Sequence, residues 1–194
     1  MKTLSDAQRL RAHVIERLEH ADITRLPEVK KGALTFTVVG GGFSGIETVG
    51  EIKELIDRSL RYYPNIKKSE IKVVVLEFAE RILNEMPKAL ARYAQKKLTE
   101  RGIEIQLGVG VVECTGTQLI TTTDEIIDTR TIVATIGNAP PPAISKMPLT
   151  FQHGRMLVGR DFLAHGHQNI WSIGDCALIP MKDDARHRDD FAPP

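Results

Sequence analysis

The sequence has little that would tie it to nucleic acid, to a lipid bilayer or to thiol chemistry. Its 26 lysines and arginines stand against 25 acidic residues, a formal net charge of +1. The cations form no stripe, so a nucleic-acid partner is not expected. The longest apolar runs fall far short of the roughly 20 residues that span a membrane, and no signal peptide precedes the first helical pattern. Cysteine is nearly absent. Cys114 and Cys176 stand far apart with no C-x-x-C spacing, which points to a reducing, cytoplasmic setting and excludes a dithiol redox pair. No triad or activated-cysteine arrangement is visible, so no catalytic side chain is expected. His165-Gly-His167 lacks further ligands, so no metal site is expected either. At 194 residues the chain can bury one core, or one domain with parts of another.

What the sequence does have is glycine in one place. The apolar run Phe36-Thr37-Val38-Val39 delivers the chain into Gly40-Gly41-Gly42-Phe43-Ser44-Gly45, and an amphipathic pattern follows (Ile46, Val49, Ile52, Ile56, Leu60). This is G-x-G-x-x-G between a strand and a helix, the context that dinucleotide binding requires. Gly40 allows the tight turn, Gly42 removes the Cβ that would hold a pyrophosphate away, and Gly45 lets the helix lie close to the strand. The helix N-terminus adds unpaired N–H groups and a partial positive charge.

The remaining elements arrange themselves around that loop. Leu4 to Ala21 reads as a helix, with Ser5 and Gln8 placed to form its capping box and Leu10, Val14 and Leu18 on one face. Residues 25–32 read as a polar connector. Ile71 to Leu76 is an almost unbroken β-branched run, suited to a strand covered on both faces, and it ends on Glu77. An acid there accepts hydrogen bonds from the adenosine ribose and disfavours a 2′-phosphate. Glu77 stands 32 residues beyond Gly45, where about 20 are usual; a longer helix and the Tyr62-Tyr63-Pro64 loop absorb the excess. A helix from Pro87 with Leu90, Ala94 and Leu98 on its face, closed by Arg101-Gly102, precedes a third strand at Ile103 to Leu107. Val109 to Glu113, Gln118 to Thr123 and Glu125 to Asp128 read as an antiparallel meander. Thr131 to Ile136 returns as a buried strand ending at Gly137, and the proline-rich stretch from Pro140 to Phe151 marks a boundary. The expected fold is therefore α/β, a Rossmann-like parallel sheet with an antiparallel β-meander.

Three separated motifs carry a resemblance: Val38-Val-Gly-Gly-Gly-Phe-Ser-Gly-Ile-Glu47, Ala134-Thr-Ile-Gly-Asn-Ala-Pro140 and Asn169-Ile-Trp-Ser-Ile-Gly-Asp-Cys-Ala177. Together they resemble the pyridine-nucleotide-linked flavoprotein reductases, and within them the type II NADH dehydrogenases, FAD-dependent NADH:quinone oxidoreductases that pump no protons. The resemblance implies hydride transfer from NADH to FAD and then reduction of a quinone by two electrons. It implies that Gly40, Gly41, Gly42, Phe43, Ser44 and Gly45 hold the NADH pyrophosphate, Glu77 the adenosine ribose and Glu47 the nicotinamide carboxamide, with Gly137 beside the cofactor. Gly174 and Asp175 match the second flavin motif, where the carboxylate meets the ribityl chain. That family carries two glycine fingerprints and this chain has one. The resemblance thus implies a linking helix at 1–31, an NADH domain at 32–137 and a partial return into the FAD domain at 138–194, with an incomplete FAD site. A quinone-binding, membrane-anchoring region, peripheral on the cytoplasmic face of the inner membrane, would belong to the parent protein, as would a homodimer. A ferredoxin- or rubredoxin-reductase-like flavoprotein and an isolated NADH-binding module without turnover are the alternatives.

Overall fold

The computed structural model describes residues 3–137, 144, 146–152, 154–182, 185 and 190–192. They fall into two compact units, Met1–Ile136 and Gly137–Pro194. The proline-rich residues 138–143, part of the expected boundary, and most of 183–194 lie outside the described residues.

The first unit is built on a four-stranded, wholly parallel sheet in the order β3-β2-β1-β7. Its strands are β1 (Thr35–Val39), β2 (Lys72–Glu77), β3 (Ile103–Leu107) and β7 (Thr131–Ala134). Strand direction alternates side chains between two faces, and each face of this sheet is covered differently. Phe36, Val38, Val73 and Val75 pack in one cluster with Val14 and Leu18 of α1 (Leu4–Ile23) and with Val49, Ile52 and Ile56 of α3 (Phe43–Ser59). Ala91 and Leu98 of α4 (Lys88–Glu100) join the same cluster. Val74 and Leu76 face the other way and pack with Leu119 and Ile127. These last two belong to the antiparallel meander β4 (Val111–Cys114), β5 (Gln118–Thr121) and β6 (Ile126–Asp128). The unbroken apolar run of β2 is explained by its position: it is one of the two inner strands and both its faces are buried.

Several local expectations shift. The N-cap of α1 is Thr3 rather than Ser5. The Thr3 hydroxyl accepts from the Asp6 amide at 3.1 Å and the Asp6 carboxylate accepts from the Thr3 amide at 3.0 Å. An acid at the third helical position serves the helix dipole better than the neutral Gln8. The connector at 25–32 contains a helix, α2 (Pro27–Ala33), which opens on proline, whose missing N–H costs nothing in the first turn. It carries Glu28 at its start and Lys30 and Lys31 at its end. The apolar face of α4 runs through Ala91, Ala94 and Leu98, leaving Leu90 exposed. β5 and β6 are shorter than expected, with Asp124 at a positive φ in the turn between them, and β4 runs from Val111 to Cys114 in place of the expected Val109 to Glu113.

The second unit holds a small sheet, β10-β9-β8, from β8 (Phe151–Gln152), β9 (Arg155–Leu157) and β10 (Ala177–Leu178). Met156, Val158, Ala164 and Ala177 form its core. The buried Arg155 guanidinium donates to the Ala192 carbonyl at 2.9 Å, tying the last described residues to β9. The Asn169–Ile173 stretch makes a single bridge, Leu163 to Trp171, rather than a strand.

Candidate functional site

In a parallel sheet the crevice for a ligand opens at the carboxyl ends of strands that feed connections in opposite directions. Here that point lies between β1, which continues to β2, and its other neighbour β7. The glycine loop occupies it.

Each glycine of the loop meets a different constraint. Gly40 has φ +108°, in a region that L side chains rarely adopt. Its amide donates to the Leu76 carbonyl at 2.8 Å, the last rung after β1. Gly45, in the first turn of α3, is closed to any side chain: a Cβ there would fall 1.9 Å from the Gly40 carbonyl oxygen. Gly41 is enclosed too, since a Cβ would come 2.9 Å from Ile82 Cγ2 and 3.0 Å from Glu77 Oε2. Gly42 is the opposite case. It is the N-cap of α3, with ordinary extended φ of −72° and ψ of −175°, and a Cβ there would meet nothing within 4 Å.

That open space lies at the N-cap of α3. The first intrahelical bond runs from the Ile46 amide to the Gly42 carbonyl at 3.0 Å, so the amides of Phe43, Ser44 and Gly45 have no i−4 partner within the helix. No acidic residue lies in the first turn of α3. Glu47 is one residue beyond it and exposed. Free N–H groups, the positive end of a 17-residue helix and a side-chain-free approach suit a diphosphate.

Two residues outside the loop hold it in shape. Thr135, one residue past β7, points its Oγ1 at the Val39 and Gly40 carbonyls at 2.9 and 3.1 Å. Glu77, half-buried at the end of β2, accepts from the Gly41 amide at 2.5 Å and from the Ala79 amide at 2.7 Å. The segment after it returns to the loop, with the Leu83 amide donating to the Gly41 carbonyl at 2.8 Å. The first unit therefore brings together Gly40 to Gly45 and Glu77 with Thr135, Ile82 and Leu83. The last three are not apparent from sequence spacing; only the Ala134-Thr-Ile-Gly motif hinted at Thr135. Gly137, Gly174 and Asp175 lie in the second unit. Gly137 and Gly174 both have positive φ, and Asp175 is exposed in the 3-10 turn Gly174–Cys176. Cys176 ends that turn and does not start a helix; its thiol donates to the Ile173 carbonyl at 3.3 Å.

A parallel sheet with its switch point at a three-glycine turn is an architecture of the Rossmann type. The pyridine nucleotide-disulphide oxidoreductase family matches residues 2–188, and the chain belongs to that family. It is 32% identical over 191 residues to the external alternative NAD(P)H-ubiquinone oxidoreductase B3, mitochondrial, of Arabidopsis thaliana, covering 94% of this chain and 33% of that protein. It is 31% identical over 193 residues to the type II NADH:quinone oxidoreductase NdhA of Mycobacterium tuberculosis, covering 93% and 41%. Its fold is shared with the structure of NDH2 from Plasmodium falciparum in complex with NADH, at a TM-score of 0.80 and 21% identity, covering 92% of this chain and 39% of that one. The chain thus spans about a third to two fifths of the length of the proteins it matches.

Proposed function

We propose that this chain is the NADH-binding portion of a flavoprotein that passes electrons from NADH through FAD to a quinone. The observation that carries the reading is the side-chain-free space at Gly42, in front of the free amides of α3 and beside an acid at the end of β2. When bound, the two cofactors supply the hydride chemistry; the residues of this chain bind, orient and exclude. Gly40 to Gly45, with Phe43 and Ser44, hold the pyrophosphate. Glu77 keeps acceptor capacity for the adenosine ribose and disfavours a 2′-phosphate. Glu47 serves the nicotinamide carboxamide, and Gly137 flanks the cofactor. Residues 32–137 form the NADH domain in this reading. Residues 138–194 belong with the FAD domain, where Gly174 and Asp175 meet the ribityl chain, whereas the linking helix within 1–31 packs on the sheet of the NADH domain. Among the described residues no helix is long and apolar enough to cross a membrane. Contact with quinone and with the cytoplasmic face of a membrane, and any homodimer, are assigned to the remainder of a longer protein.

Calorimetry on the purified chain tests this. NADH is expected to bind with one-to-one stoichiometry and more tightly than NADPH. No heat from NADH at millimolar concentration would remove the assignment, and equal affinity for NADPH would remove the role of Glu77 toward the ribose. The small share of its relatives that the chain covers favours a second reading for the chain by itself, a binding module without turnover. A colourless protein that binds NADH but does not reduce a soluble quinone with added FAD supports the module.

A further inference from the structure

We infer that Glu77 is a positioning residue for the pyrophosphate loop, and that its carboxylate is required for the shape of that loop before any ribose arrives. The inference deepens the NADH-site reading and rests on it only where ligand affinity is measured.

Beyond Gly40 the ladder from β1 ends, because the Gly40 amide makes its last rung to the Leu76 carbonyl. The next peptide groups must find partners elsewhere or lie unpaired in a partly buried place. Gly41 finds both on one segment. Its N–H goes to Glu77 Oε2 and its C=O to the Leu83 amide. The two peptides that meet at Gly41, Gly40–Gly41 through its N–H and Gly41–Gly42 through its C=O, are thus both held by residues 77–83, and they set the direction of the α3 N-terminus. Ile82 closes the remaining side, at a distance that leaves no room for a Cβ on Gly41. The segment itself is bent to reach: Leu83 takes φ 51°, uncommon for a residue with a side chain.

Glu77 is itself fixed. Its second oxygen accepts from the Ala79 amide, so both oxygens face N–H donors. A carboxylate satisfies two donors on two oxygens, whereas the amide of glutamine would turn an NH2 toward one of them. The backbone thus demands glutamate over glutamine without reference to a ligand. Electrostatics make the same point from the other side. A negative charge beside a diphosphate site works against the ligand, so a role confined to attracting the anion would not place one against Gly41.

The test separates this role from ribose binding. Amide hydrogen exchange by NMR on the wild-type chain is expected to show Gly41 and Ala79 protected at least about tenfold over unstructured rates. In Glu77→Gln, which keeps a single acceptor oxygen, at least one of the two loses protection, while Thr135, whose amide bonds to Val39 in the sheet, keeps it. Affinity is then measured for NADH and for an analogue whose adenosine ribose is 2′,3′-dideoxy. The analogue has no hydroxyls for Glu77 to accept, yet Glu77→Gln is expected to weaken it by about tenfold, the worth of one charge-assisted hydrogen bond. Free exchange at Gly41 and Ala79 in the wild type would overturn the inference. So would a Glu77→Gln protein that binds the analogue as tightly as wild type while losing NADH. If Glu77→Gln does not fold, exchange in the wild type decides. If the wild type binds neither ligand, the NADH reading fails and exchange alone still decides the clamp.

Discussion

Replacing Gly42 with valine puts the central feature of the site to the test, because the structure separates its effect on folding from its effect on binding. The backbone at Gly42 is ordinary extended chain, and a Cβ there would meet no heavy atom within 4 Å. The Cβ of valine therefore enters without a clash. The folding cost is that of a poorer N-cap, about 1 kcal/mol, which lowers the melting temperature by about 2–4 °C for a chain of this size. Binding is another matter. The two methyl groups fill the space through which a pyrophosphate reaches the amides of α3. Losing two hydrogen bonds to a charged group at about 1.5–3 kcal/mol each weakens NADH by at least about a hundredfold. Titration calorimetry with NADH, run beside a thermal melt, reads both quantities on the same preparation. Affinity within threefold of wild type would show that the pyrophosphate does not pass Gly42. A melting point lower by more than about 10 °C would show that the space is not free in the folded chain.

Gly45→Ala is expected to behave in the reverse manner. Its Cβ would lie 1.9 Å from the Gly40 carbonyl oxygen, so α3 must move from β1, at about 3 kcal/mol or more, and the melting temperature should fall steeply; an unchanged melt would refute the close contact. Thr135→Val keeps the shape and deletes the hydroxyl that binds the Val39 and Gly40 carbonyls. It should cost about 1 kcal/mol and weaken NADH several-fold, read by melting and calorimetry. Away from the site, the hydrogen bond from Lys30, followed by that from the Lys67 amide, holds the Glu70 carboxyl below its ordinary 4.5. The unfolded chain then binds this proton first as pH falls. The contribution of Glu70 is complete above 4.5 and disappears as pH drops through the lower folded value. The melting difference between wild type and Glu70→Gln should shrink across that range, and a constant difference would show that the Lys30 pair contributes nothing.

Much of the first unit is legible because its signals are local. The repeat Val49, Ile52, Ile56 specifies one buried helical face, and the run Val73 to Leu76 specifies a strand with no exposed side. The glycine spacing specifies the turn from β1 into that helix. The helix at Pro27–Ala33 was hidden inside a polar stretch, since seven residues are too short for periodicity to show. The α1 cap is Thr3 because two hydroxyl residues, Thr3 and Ser5, compete and the acid at Asp6 decides between them.

By itself the sequence determined the main strands and helices of the first unit apart from α2, that a glycine turn joins β1 to α3, and that an acid ends β2, since each depends on neighbours within a few positions. Only the tertiary structure decided what those residues do to one another. Parallel register along β1 brings Glu77 to Gly41 across 36 residues and Thr135 to Gly40 across 95. No periodicity encodes such pairs. They exist because the two neighbours of β1 end level with it, and the backbone groups left over at that edge must be satisfied by whatever side chains stand there.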